Sequence, residues 1–444
     1  MPIVSPVSHG GDATRAPSLG SVTAAALTSR HEAAGTVTTV AIDEAHPLLD
    51  LLPDDGGLSW VRRGEGLVGW GEAARLEVSG PRALAEAAAW WADHTASVDV
   101  VDGVGLPGTG PVAFASIAFD PRTSTSVFVV PEVVVGRRDG RTWVTAAGPA
   151  PARVAGREPV EQDDAAPRLR YADGALDPAS WCSAVAAAVR RIRAGELAKV
   201  VLARDLLVTS DVPLDRRRLL RRLAARFPDC WTFAVDGLLG ATPELLLRRT
   251  GRELSARVLA GTAPRGAGDD DERLAAALLG SAKDRVEHEL AVDSLVGALT
   301  PYCSSLSVPD GPQLLTLANV RHLASDVSGV QCRSGRRGSA GLLELIGAVH
   351  PTAAVGGTPR AEAVAAIAQL ERMDRGRYAG PVGWLDARGD GEFGLALRCA
   401  ELSADDPCSA RLFAGCGIVA DSDPATELAE TQAKLAAVQA ALEG

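Results

Sequence analysis

The spacing of strand-like runs constrains this chain more than any other feature. Short stretches rich in β-branched and aromatic residues, such as VAFASIAF at 112–119 and SVFVVPEVVV at 126–135, succeed one another with Gly and Pro punctuation between them. Further runs of this kind are expected at 199–208, 230–235, 243–247 and 254–259. Helices intrude irregularly: one between Asp177 and Gly195, a long one over about 271–299, and another from about Pro424. Strands that succeed one another without a helix between them form hairpins. The expected fold class is therefore α+β with antiparallel sheets, and a doubly wound dinucleotide fold is disfavoured. The stretch GVGLPG at 103–108 fits G-x-G-x-x-G, but a Pro sits inside it. The residues after it are β-type rather than the helix N-terminus that would hold a pyrophosphate, so it is expected to be a loop.

Residues 1–35, rich in Ala, Gly, Ser, Thr and Pro without apolar periodicity, are expected to be a disordered leader. Residues 36–150 make a β-rich part interrupted by a helix-like WWADH patch at Trp90. The Pro-rich, charged stretch 151–173 is expected to be a linker, and 174–444 the region that carries the chemistry. Its first helix is legible in detail. Asp177 is an N-cap, Pro178 takes the first helical position, and Trp181, Val185, Val189 and Ile192 recur at helical spacing until Gly195.

With 444 residues, 46% of them hydrophobic, the chain can bury a large core. A net charge of -11 argues against nucleic acid or an anionic membrane surface as partner and leaves a small molecule as the expected ligand. No run approaches the roughly 18 apolar residues of a membrane span, and no signal-like segment opens the sequence, so a cytoplasmic protein is expected. Seven scattered cysteines, never in a C-x-x-C pair, indicate neither a zinc site nor a disulfide framework. Nothing in the sequence separates an interface strip from core, and a monomer is the expected state.

Two acidic stripes stand out. Asp284, Glu287 and His288 share a face of the long helix at i, i+3 and i+4, while Glu427, Glu430 and Lys434 share a face of the C-terminal helix. Each is either a solvated helix face or half of an ion site. If the two converge, their mutual repulsion calls for a hard divalent cation, and magnesium suits oxygen ligands that leave room for an anionic substrate. Arg398, in the strand-like FGLALRCAEL, and Lys434 are candidate anion ligands. Lys199, opening KVVLAR, and Glu244, in ATPELLL, are either ordinary strand-end charges or a base and an acid. In a dry pocket, burial would neutralise both. The Gly-rich turns LAGTAPRG, AVGGTP and AGCGI offer backbone N–H groups to a carboxylate.

Taken in order, KVVLAR, ATPELLL, LAGTAPRG, KDRVEHEL, VRHLAS, HPTAAVGGTP, FGLALRC, AGCGIVADSDPATELAET and QAKL resemble the chorismate-utilizing enzymes over roughly residues 181–442. The resemblance implies one large α+β domain with a β-sandwich core, helices outside and a central active site. It further implies that Glu287 and Glu430 hold magnesium, with Asp284 and Glu427 nearby. Gly261, Thr262, Tyr378, Arg398, Gly417 and Lys434 would contact the carboxylates and pyruvyl ether of chorismate, and His322 and Ala354 would line the pocket. Lys199 stands where the water-using members carry Lys and the amine-using members carry Gln. The implied activity is addition of water at C2 of chorismate, with Lys199 as base and Glu244 as acid toward the departing C4 hydroxyl, giving isochorismate. Salicylate synthases go on to expel pyruvate and commonly carry Thr where this chain has Ala354 and Arg where it has Ala263, which favours stopping at isochorismate. The alternatives are a salicylate synthase and a non-catalytic paralogue that binds a carboxylated metabolite.

Overall fold

The computed structural model describes residues 28–31, 35–151, 154, 167–333 and 340–443. Its strands form an 11-stranded and a 13-stranded sheet, accompanied by eight α-helices among the described residues. Pairing between the described strands is antiparallel except where Thr36–Ile42 runs parallel to Asp99–Asp102. The α+β expectation holds.

The period of two in the strand sequences explains the layering. Along the 13-stranded sheet Trp60, Leu67, Val134, Trp143 and Phe233 point into the main core, which they share with Phe114, Trp384 and Phe393 of the other sheet. Their neighbours Val61, Val68, Val135, Val144 and Ala234 point the other way, into a second core under the helices Arg216–Arg226 and Pro424–Glu443. A sandwich core with helices outside results.

Four elements depart from expectation. The long helix over 271–299 is two helices, Asp269–Gly280 and Ala282–Leu299, because Ser281 is extended and its hydroxyl caps the second by accepting from the Asp284 N–H. The run 126–135 is two strands, Ser126–Val130 and Val133–Arg138, in different sheets, since Pro131 cannot donate to a ladder. Of the leader, only Thr28–His31 and Gly35 fall within the described residues, and Thr28–His31 pairs with Ala74–Val78. Within the stretch read as linker, Leu169–Asp173 is a strand on Lys199–Ser210. The helix-like patch at Trp90 is the helix Ala83–Ala96, and GVGLPG is a loop. The seven cysteines are free thiols.

Both sheets run through both parts of the chain. Leu58–Arg62 pairs with Trp231–Val235, and Val112–Ser116 with Pro381–Asp386. Two ladders position the site. Lys199–Ser210 pairs with Ser409–Ile418, with Val201 opposite Gly417, while Glu253–Pro264 pairs with Val320–Gln331, with Thr262 opposite His322. The helix Ala282–Leu299 packs on the second ladder and Pro424–Glu443 on the first.

Candidate active site

Where these ladders and helices meet lies a cavity in the protein wall. Glu244, Gly261, Thr262, Glu287, His322, Ala354, Tyr378, Arg398, Gly417 and Lys434 all line it. Residues scattered over nearly 200 positions of sequence therefore share one wall, as sheet register dictates.

Lys199 sits directly behind that wall. Its side chain is 0% exposed, with Nζ 3.1 Å from Oε1 of Glu287. Gly417 makes this pairing possible: a Cβ there would lie 2.1 Å from Oε1 of Glu287 and 3.0 Å from Cε of Lys199. The sequence left Lys199 as either a strand-end charge or a base in a dry pocket; the structure buries it fully and sets its amine beside the Glu287 carboxyl of the acidic helix, a neighbour the sequence reading did not supply.

Glu244 is 4% exposed, and burial pushes its carboxyl up to about 8, against the opposing pull of the Leu259 backbone amide, Lys199 and Lys434. That direction favours the protonated carboxyl at neutral pH. Arg398 is not within a strand, as expected, but in the turn between Gly391–Leu395 and Cys399–Leu402, with φ of 49°. That left-handed backbone is costly for a residue other than Gly. Its buried guanidinium has no ion pair among the described residues, and burial lowers its affinity for the proton. Its NH2 donates instead to Nε2 of His322, 2.9 Å away. A buried guanidinium without a counter-charge is costly, and an anion in the cavity would offset that cost. Tyr378 stacks on Phe413 at 4.8 Å, and burial raises its hydroxyl's pKa.

The acidic helices face one another. Lys283, one turn before Glu287, pairs at 2.6 Å with Glu427 of the C-terminal helix, and Lys434 pairs at 2.6 Å with Glu430. Burial first, and Glu430 next, raise the pKa of Glu427; burial first, then Glu287 and Glu430, raise that of Asp284. The carboxyls on the two helices offer oxygen donors only, and Glu287, Glu427 and Glu430 each lie beside a lysine. Among the described residues no three His, Cys, Asp or Glu side chains converge as a coordination cage. Oxygen donors of this kind suit magnesium rather than zinc, since magnesium needs only one or two carboxylates and completes its shell with waters and substrate oxygens. His288, on the same face, does not join it: its Nε2 meets the Ser325 hydroxyl at 2.8 Å and its Nδ1 the Ala260 carbonyl at 3.2 Å, clasping helix to strands.

Arg375 also lines the cavity and was missed in the sequence. Its guanidinium reaches Glu371 and the carbonyls of Val355 and Val201, while Glu371 accepts from the Ala203 N–H. The i, i+4 spacing of Glu371 and Arg375 was the available signal, although it reads equally as a surface pair.

A sequence model of the family described as "Chorismate binding enzyme" matches residues 58–443. A MenF chain of Mycobacterium tuberculosis is 40% identical over 349 residues, covering 76% of this chain and 87% of that one. Isochorismate synthase MenF of Bacillus subtilis is 35% identical over 362 residues, covering 76% and 75%. The solved structure of MenF, the menaquinone-specific isochorismate synthase of Escherichia coli, matches with a TM-score of 0.74 at 25% identity, over 92% of this chain and 95% of that one.

Proposed function

Because this chain belongs to the chorismate-binding enzymes, we propose that it converts chorismate to isochorismate. Water adds at C2 of the ring, the double bonds shift, and the C4 hydroxyl leaves as water. Lys199 takes the proton from the attacking water, and the carboxylate of Glu287 beside it stabilises the ammonium that forms. Glu244 gives its proton to the departing C4 oxygen. One water enters and one departs, so substrate and product are isomers, and the two side chains return to their starting states by exchanging a proton through solvent. Arg398, Tyr378, Lys434 and the backbone at Gly261, Thr262 and Gly417 hold the carboxylates and pyruvyl ether, with His322 and Ala354 completing the walls.

Glu287 and Glu430 would hold magnesium, with Asp284 and Glu427 close by. When bound, the ion supplies positive charge that lets an anionic substrate enter beside an acidic pair. No helix among the described residues is long and apolar enough to cross a membrane.

The observation that carries the proposal is the buried carboxyl of Glu244 on the wall of the same cavity behind which the fully buried Lys199 lies beside Glu287. The test is incubation of the chain with chorismate and magnesium, with products separated by chromatography and pyruvate monitored through a coupled dehydrogenase. Isochorismate without pyruvate is the expected result. Stoichiometric pyruvate would mean a salicylate synthase, and no turnover would leave a binding protein.

A further inference from the structure

We propose that His322 is a positioning residue: held neutral in a single tautomer by Thr262, it aims the guanidinium of Arg398 at a substrate carboxylate. The chain of contacts is explicit. Nε2 of His322 lies 2.9 Å from NH2 of Arg398, and Nδ1 lies 3.1 Å from the hydroxyl of Thr262. A guanidinium has five N–H donors and no acceptor, so Nε2 must be the accepting nitrogen. Nδ1 therefore carries the proton and donates it to Thr262 Oγ1. An imidazolium would leave two N–H donors facing each other, a conflict that the surrounding burial sharpens.

The local fold builds this arrangement. The ladder between Glu253–Pro264 and Val320–Gln331 slips register between Ala260 and Thr262, at Gly261, whose φ is 79°. The slip sets Thr262 directly opposite His322. Arg398, in its left-handed turn, has no other hydrogen-bond acceptor among the described residues, so His322 alone fixes the direction of its fork. The remaining N–H groups of that fork are left for the cavity. His322 thus contributes to substrate binding through Arg398 rather than by proton transfer.

This inference rests on the proposed reaction with chorismate, and two readouts separate the failure of one from the failure of the other. The first is kinetic and uses the full chain. His322→Leu removes the acceptor and is expected to raise KM for chorismate about 10- to 100-fold, the worth of a hydrogen bond to a charged group, while kcat changes about threefold or less. His322→Gln, whose amide oxygen can take the place of Nε2, is expected to recover most of that loss. A fall in kcat at unchanged KM, unrescued by Gln, would show His322 to be a proton-transfer group and overturn the proposal. Equal losses in both variants, with a lowered melting temperature, would show a purely structural role and do the same. The second readout needs no activity. In 15N-histidine NMR of the free protein, the signal absent from the His322→Gln spectrum should show a protonated Nδ1 and an unprotonated Nε2 at pH 7. The opposite tautomer or an imidazolium there sinks the inference even if chorismate turns over. The expected tautomer in a chain without turnover would instead sink only the reaction.

Discussion

Glu244 is the residue whose chemistry depends most on where the fold puts it. In an unfolded chain its carboxyl ionises near 4.5; buried beside the cavity it holds its proton to about 8. Between those values the native state binds a proton that the unfolded state has released, so Glu244 lowers stability progressively as pH rises through that window. Its contribution is least unfavourable below 4.5 and levels off above 8. Glu244→Gln keeps the shape and removes the titration. Urea unfolding at pH 5, 7 and 9 should therefore show the variant gaining on the wild type as pH rises, and a gap that stays constant across the three would contradict the raised pKa. Turnover should fall about 100-fold or more in the variant, because the amide cannot protonate the leaving oxygen. In the wild type the acid-dependent limb of kcat/KM should decline as pH passes about 8. The sequence located this glutamate, and also Lys199, Arg398 and both acidic stripes, because each sits in a motif. It could not disclose that Lys199 pairs with Glu287, since that contact exists only after Gly417 lets two elements approach where any side chain would intervene.

At the scale of elements, the break at Ser281 matters because it aims the acidic helix. A continuous helix from 271 to 299 would carry Asp284 and Glu287 along one straight axis, whereas a fresh start at Ala282 lets their face be set by packing on Glu253–Pro264. The apolar periodicity of the two halves made them read as one element, although Gly280 and then Ser281, with Asp284 three residues on, is a stop and start signal. Ser281→Ala should cost about 1 kcal/mol in urea unfolding by leaving the Asp284 N–H without its cap, and Ser281→Thr should retain most of it. Equal stability of the Ala variant and the wild type would show that packing alone fixes the start of the helix. The strands were easier to read. Alternating Trp60 and Val61, or Trp143 and Val144, serve two different cores, and that period survives any error in where a strand ends. Register was not legible, because the slip at Gly261 that brings Thr262 opposite His322 depends on the partner strand as much as on the glycine.

Across the whole molecule, the two stretches that read as successive parts in sequence interlock in both sheets. Trp231–Val235 has Leu58–Arg62 on one side, and Trp231 stacks on Trp60 with ring centroids 6.0 Å apart. Inside the same core the buried carboxylate of Glu392, from the later part, accepts from the indole N–H groups of both tryptophans and pairs with Arg138 of the earlier part. Every motif that pointed to chemistry lies after residue 180, which makes the later part look self-sufficient. The sheet order says otherwise. Residues 167–444 produced alone would present Trp231–Val235 and Pro381–Asp386 as unpaired apolar edges and leave Glu392 without Arg138 and Trp60 in a core open to water. That fragment is expected to be insoluble or to unfold without cooperativity, and co-production with residues 1–151 to restore soluble material that turns over chorismate. Soluble yield, circular dichroism melts and the product assay measure this together. A 167–444 fragment that melts cooperatively and binds substrate would show that the earlier strands merely cover a core able to form without them. The cavity depends on the core beneath it, since Gly394, whose Cβ would meet both the Glu244 carbonyl and the Trp60 ring, ties the acid's own strand end to a tryptophan from the other part. Removing that part should therefore reach the active site through packing, without touching any residue that lines it.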